Sequence, residues 1–169
     1  MLLNCLNILV ILVHILFGIH LKISIPIVNK ENVVINKAPN IATLEIPAIS
    51  LIHDLYEIGD ERNDLDKRLI FLNSSSTPEE KKGNVIIAGH SGFGDIAYFK
   101  NLYKLKLGNK IYLTYQGKKY TYIIVDMYKV LKTGKVSVKR DSNKKTITLI
   151  TCYGTSEQLI VIGEQKSNT

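Results

Sequence analysis

The chain has 169 residues, 46% of them hydrophobic and 22% charged, with four histidines, two cysteines and no tryptophan. That length suits one packed domain and excludes two generous ones. The net charge of +7 gives a basic surface suited to weak attraction to anionic lipid or cell-wall polymer. No basic helix or nucleic-acid motif accompanies it, which sets nucleic acid aside as a partner.

Residues 2–21 are almost wholly apolar, broken by Asn4, Asn7, His14, Gly18 and His20, and the apolar character continues past Lys22 to Val28. A helix of about 20 residues spans the roughly 30 Å hydrocarbon core of a bilayer. One that is apolar all round has no polar face to present to water as part of a soluble domain. Residues 1–28 therefore read as a single-pass transmembrane anchor. Bulky residues from Lys22 to Pro26 offer no small-x-small site for removing a signal peptide. Residues 29–41, polar and containing Pro39, read as a linker to a domain at 42–169. The first lysines follow the apolar segment, so positive-inside counting alone leaves that domain in the cytoplasm.

Alternation in Ala42-Thr43-Leu44-Glu45-Ile46 predicts a half-buried strand that Pro47 ends. Further runs rich in Ile, Val, Tyr and Thr at 49–52, 68–72, 85–88, 110–115, 120–130, 146–151 and 159–163 predict short strands. Turn-forming clusters separate them, and Gln116-Gly117 between two tyrosine-rich runs predicts a hairpin. Helical signal is slight: Asp95 can cap a helix over 96–102, and a weaker signal lies at 64–68. The expected fold is mainly β, a closed barrel of about eight strands with one or two short helices.

Two of these runs end on reactive side chains. Asn84-Val85-Ile86-Ile87-Ala88-Gly89 leads to His90, and Thr148-Leu149-Ile150-Thr151 leads to Cys152. A thiol of ordinary pKa near 8.5 is only about 3% ionised at neutral pH, so a catalytic cysteine needs a cation or base beside it. His90 lies 62 positions before Cys152, so the pair can meet only as strand ends on one rim of the barrel. Taken alone, each has a plainer reading, the cysteine as core packing and the histidine as a loop residue. Cys5 falls in the apolar segment, leaving Cys152 without a disulfide partner, and the Cys/His spacing of a zinc site is absent.

The flanking residues resemble the sortase family of cysteine transpeptidases. Leu44-Glu45-Ile46-Pro47-Ala48-Ile49 is similar to its first strand, and Gly83 to Ser91 to its histidine strand. Tyr98-Phe99-Lys100-Asn101-Leu102 with Leu107-Gly108-Asn109-Lys110-Ile111 is similar to the element that follows, and Thr148-Leu149-Ile150-Thr151-Cys152 to its cysteine motif. The resemblance implies that Cys152 attacks a Leu-Pro-x-Thr-Gly-like sorting signal to form a thioacyl enzyme while His90 protonates the departing amine. A cell-wall precursor or pilin amine would then resolve the intermediate. It implies no cofactor and a domain outside the membrane, against the lysine count. The short interval from His90 to Cys152 resembles the compact classes A, D or E.

One position departs from the family pattern: Gln158 stands where sortases usually carry an arginine. Gln158 can substitute as a neutral donor to the oxyanion, or Arg140 can reach the site from a neighbouring loop. The remaining alternative is a sortase-shaped binding or assembly module with little or no turnover. Thr151, the backbone N–H of Tyr153, Ala88 and Ser91 are the substrate-binding and oxyanion candidates. Asp60, Glu61, Asp64 and Asp66 resemble the calcium-binding loops of some class A members, but an exposed acidic turn is the plainer reading, and no metal site is expected.

Overall fold

The computed structural model describes residues 39–166, so the expected anchor and most of the linker lie outside the described residues. The eight strands are β1 (Ala42–Ile46), β2 (Leu51–Leu55), β3 (Ile70–Phe71), β4 (Asn84–Ala88), β5 (Lys110–Tyr115), β6 (Lys118–Leu131), β7 (Thr146–Tyr153) and β8 (Glu157–Gln165). They form one sheet in the order β2-β1-β5-β6-β8-β7-β4-β3, a nearly closed barrel with β2 and β3 at its two ends. Gln116 (φ 47°) and Gly117 (φ 78°) supply the positive φ values that the β5–β6 hairpin turn needs.

Alternate side chains fill the barrel. In β1, Ala42, Leu44 and Ile46 are buried while Thr43 and Glu45 face outward. Val85, Ile87, Ile147, Leu149, Leu159 and Val161 join the same interior cluster. The opposite faces of β4, β7 and β8 carry a second apolar group, Ile86, Ile150, Ile160 and Ile162. It is covered by Val136 and Val138 from the loop between β6 and β7, together with Leu72, Tyr128 and Val130. Both faces of these central strands are thus buried, so they read as near-continuous apolar runs.

Among the described residues there is no α-helix; the helical elements are two 3-10 turns, Pro47–Ile49 and Leu102–Lys104. The helix expected over 96–102 is a series of tight turns instead. Ala97, Lys100 and Leu102 bond back three residues to Gly94, Ala97 and Phe99. The N–H of Phe99 leaves the local ladder altogether and donates to the carbonyl of His90 at 3.0 Å. That long-range bond anchors the segment to the end of β4 at the expense of helical pairing.

All strand pairs are antiparallel except β4 with β7. The exception decides where the chemistry lies. Parallel neighbours end at the same rim, whereas antiparallel neighbours would send the two strand ends to opposite rims.

Candidate active site

The parallel register pairs Ala88 with Ile150, so two residues further on His90 comes level with Cys152. The chain continues to hold that alignment past the end of β4. The N–H of Gly89 donates to the carbonyl of Ile150 at 3.2 Å, and the Thr151 hydroxyl donates to the carbonyl of Gly89 at 2.7 Å. The Ser91 hydroxyl donates to the carbonyl of Cys152 at 2.5 Å. Three successive ties thus fix the histidine loop against the cysteine strand. At the other end of the pair, buried Asn84 accepts from the hydroxyls of Thr146 and Thr148, each at 2.9 Å.

Gly89 has a steric reason to precede the histidine. A Cβ there would run into the Leu69 side chain and stand 2.9 Å from the Phe99 ring, closer than carbon contacts allow. Without a side chain, the backbone beside His90 packs directly onto those two core residues.

Gln158 is the direct cross-strand partner of Cys152 in the β7–β8 ladder. By strand alternation, Ala88, Cys152 and Gln158 lie on the same face as Ile86, Ile150 and Ile160. The backbone of His90, two residues past the end of β4, comes level with this Cys152–Gln158 pair at the end of the sheet. Ala88 is the small buried residue on the same face of β4, one step short of that level. The His90 side chain is 36% exposed, and its Nε2 stands 3.9 Å from the Asp66 carboxylate. That carboxylate is 93% exposed, which leaves it a weak, solvent-screened partner.

The structure does not bring Arg140 to the thiol. Its Nη1 donates to the carbonyls of Lys82 and Asp141, both at 3.4 Å, beside the start of β7. Six residues of strand, about 20 Å, separate that end from Cys152. The chain's other two arginines, Arg62 and Arg68, both stack on Tyr56, at 4.1 and 4.7 Å. In the acidic turn, Asp60 pairs with Arg62 and Asp64 with Lys67, and the Lys67 ammonium holds the Asp64 carboxyl below its ordinary pKa.

The sequence reading missed a cavity on the other side of the thiol. It has a volume of about 350 Å³, and Phe99, Lys100, Tyr103, Thr151 and Tyr153 line it together with Cys152. Lys100 and Tyr103 come from the irregular segment after His90, where no periodic pattern marks an inward face. The Nζ of Lys129 lies 3.6 Å from the centre of the Tyr153 ring.

A nearly closed mainly-β barrel with a thiol and an imidazole level at the ends of a parallel strand pair defines a class of candidate cysteine enzymes. Comparison with known proteins narrows it: the sortase domain family model matches residues 44–166. Sortase A of Bacillus anthracis is 30% identical over 140 residues, covering 79% of this chain and 63% of that protein. The chain thus spans less than two thirds of that relative. The structure of sortase A from Corynebacterium diphtheriae superposes with a TM-score of 0.68 at 31% identity, over 78% of this chain and 62% of that one. Sortase C-1 from Actinomyces oris gives 0.67 at 28% identity, over 79% and 76%. The chain belongs to the sortase family.

Proposed function

We propose that this protein is a membrane-anchored cysteine transpeptidase, with residues 1–28 as its single-pass anchor, 29–41 as a linker and the barrel on the extracytoplasmic side. The observation that carries this reading is the alignment of His90, just past the end of β4, with Cys152 on β7 and its cross-strand partner Gln158 on β8. The thiolate of Cys152 attacks the scissile carbonyl of an LPxTG-like sorting signal. His90 gives a proton to the departing amine, and a thioacyl enzyme remains. A cell-wall precursor or pilin amine then takes the acyl group.

The developing oxyanion needs donors, and two are in reach of the nucleophile by position. The Gln158 side-chain amide is one, and the N–H of Tyr153, next in the chain after the nucleophile, is the other. A neutral amide donates a weaker bond than a guanidinium, since charge-assisted bonds are roughly twice as strong. The hydroxyls of Ser91 and Thr151 serve as ties between the two reacting strands and orient the pair, a role their short bonds support. No cofactor or metal enters this chemistry.

Gln158 also motivates a second reading, a module that holds the peptide without turnover. The deciding experiment incubates the full chain in detergent micelles with a library of sorting-signal peptides and an amine, and reads the products by mass. A transpeptidation product lost in Cys152→Ala and in His90→Ala supports the enzyme. Peptide binding with no product from any peptide, and thiol labelling of Cys152 that does not depend on His90, support the module.

A further inference from the structure

Cys152 stands between two unlike surfaces. The outer sheet face beyond it is built from isoleucines buried under valines of the loop between β6 and β7. The cavity on its other side combines aromatic walls, Phe99, Tyr103 and Tyr153, with the Lys100 side chain and the Ser91 hydroxyl. Lys100 is the one charged residue lining it, and no carboxylate does so. Lys129, over the ring of Tyr153, adds a second positive charge beside the same wall. Among the described residues neither lysine forms an ion pair.

A two-step acyl transfer needs two substrates to approach one thioester carbonyl from different directions. A neutral sorting signal gains nothing from a positive charge, which assigns the charged cavity to the acceptor. A bare amine gives two lysines nothing to bind, and an ammonium would be repelled by them. A carboxylate carried by the same molecule would be attracted, and it would draw the amine to the carbonyl.

We propose that this cavity seats the second substrate, and that the accepted amine carries a free carboxylate a few bonds from its nitrogen, recognised by Lys100 with the charge of Lys129 in support. The inference rests on the transpeptidase reading and names its acceptor class. In the resolving step the neutral amine attacks the thioester carbonyl carbon. The C–N bond forms, the C–S bond breaks with its electron pair returning to the sulfur of Cys152, and the proton shed by nitrogen passes to the His90 imidazole.

The test compares glycylglycine with glycylglycinamide, the same amine with and without the carboxylate, using the full chain in detergent micelles and a peptide that acylates it. The expected result is about five-fold more aminolysis by glycylglycine at subsaturating concentration, the scale of a solvent-accessible ion pair. Lys100→Glu abolishes or reverses that preference, read as the ratio of the two aminolysis rates so that any change in thioacyl formation cancels. Equal use of the two acceptors, or an equal loss of both in Lys100→Glu, overturns the proposal. A second arm titrates Cys152→Ala with each dipeptide and follows the tyrosine ring resonances by NMR. Shifts with glycylglycine that Lys100→Glu removes support the site, and equal or absent shifts with both overturn it. Should no peptide acylate Cys152, the transpeptidase reading falls while the binding arm still decides the cavity.

Discussion

The two faces of β7 carry different burdens. On the inner face Ile147 and Leu149 have no solvent exposure and pack with Val85, Ile87 and Val161 inside the barrel. On the outer face Ile150 is also buried, but its cover includes Val136 and Val138 from a single loop, and the same face ends in Cys152. A strand alternates every residue, so stability and chemistry are separated along one segment by parity alone. Substitutions a single position apart should therefore fail in different ways.

The largest effect falls on the inner face. Leu149→Ala leaves a cavity in a sealed core and should cost about 2–5 kcal/mol, a large share of the roughly 5–15 kcal/mol that holds a typical domain. Thermal melting should drop by many degrees, and activity should fall only because the folded fraction falls. Cys152→Ala on the other face should abolish product with the melting temperature unchanged. Loss of activity in Leu149→Ala with normal melting would break the separation.

Gln158 tests the outer face at the level of catalysis. Gln158→Ala should lower turnover by about 10- to 100-fold, the scale of losing or weakening one oxyanion donor, with no change in melting. Gln158→Arg should raise turnover above the native chain, because a charged donor bonds more strongly to the same oxyanion. Unchanged peptide cleavage in Gln158→Ala would remove Gln158 from the mechanism and leave the N–H of Tyr153 as the remaining candidate.

The same parity explains what the sequence could and could not reveal. Strand β1 was legible because one face is wet, and β5 because its apolar run sits between turn signals. The Asn84 to Ala88 run gave a strand but no facing, since every residue in it is buried. His90 and Cys152 stood out as reactive side chains at strand ends, and their flanking motifs resembled those of sortases. Their alignment depends on the parallel pairing of β4 with β7, which two runs 62 residues apart do not announce. The helix expected at 96–102 failed because the N–H of Phe99 is used by His90, a partner outside the local window. Lys100 and Tyr103 were missed for a related reason: a chain of turns has no periodicity from which to infer an inward face. The bond from the Thr151 hydroxyl to the Gly89 carbonyl was likewise invisible, because its partner lies 62 residues away.

The loop that covers the outer face supplies a smaller test. The Tyr128 hydroxyl accepts from the N–H of Lys139 at 2.7 Å and donates to the carbonyl of Ser137 at 3.4 Å, pinning the loop at the two residues flanking Val138. Burial, the main influence, pushes the Tyr128 phenol above its ordinary pKa, so the group stays a neutral donor and acceptor at working pH. Tyr128→Phe should loosen the loop by about 1 kcal/mol. Hydrogen exchange near residues 136–139 should accelerate several-fold while exchange in the β7–β8 ladder is unchanged. Faster exchange throughout the ladder would mean that the loop belongs to the core rather than to the site.

The smallest effect separates two histidines, one near the core and one at the site. His53, on β2, is half-buried, with its ring 4.1 Å from that of Tyr98. Its pKa lies below the ordinary value first because burial disfavours the charged form, opposed by its bond to the Asp54 carbonyl and helped by nearby Arg68. The folded state therefore binds this proton less readily than the unfolded chain does. Its contribution to stability is complete above the ordinary histidine value near 6.5 and is lost as pH falls through the lowered folded-state pKa. Melting temperature should decline over that acidic window in the native chain and decline less in His53→Phe. Turnover should keep its own pH profile in that variant, because the aligned His90, Cys152 and Gln158 do not include His53. A turnover profile that shifted with the melting profile would tie the site to β2 and undo the division between the two regions.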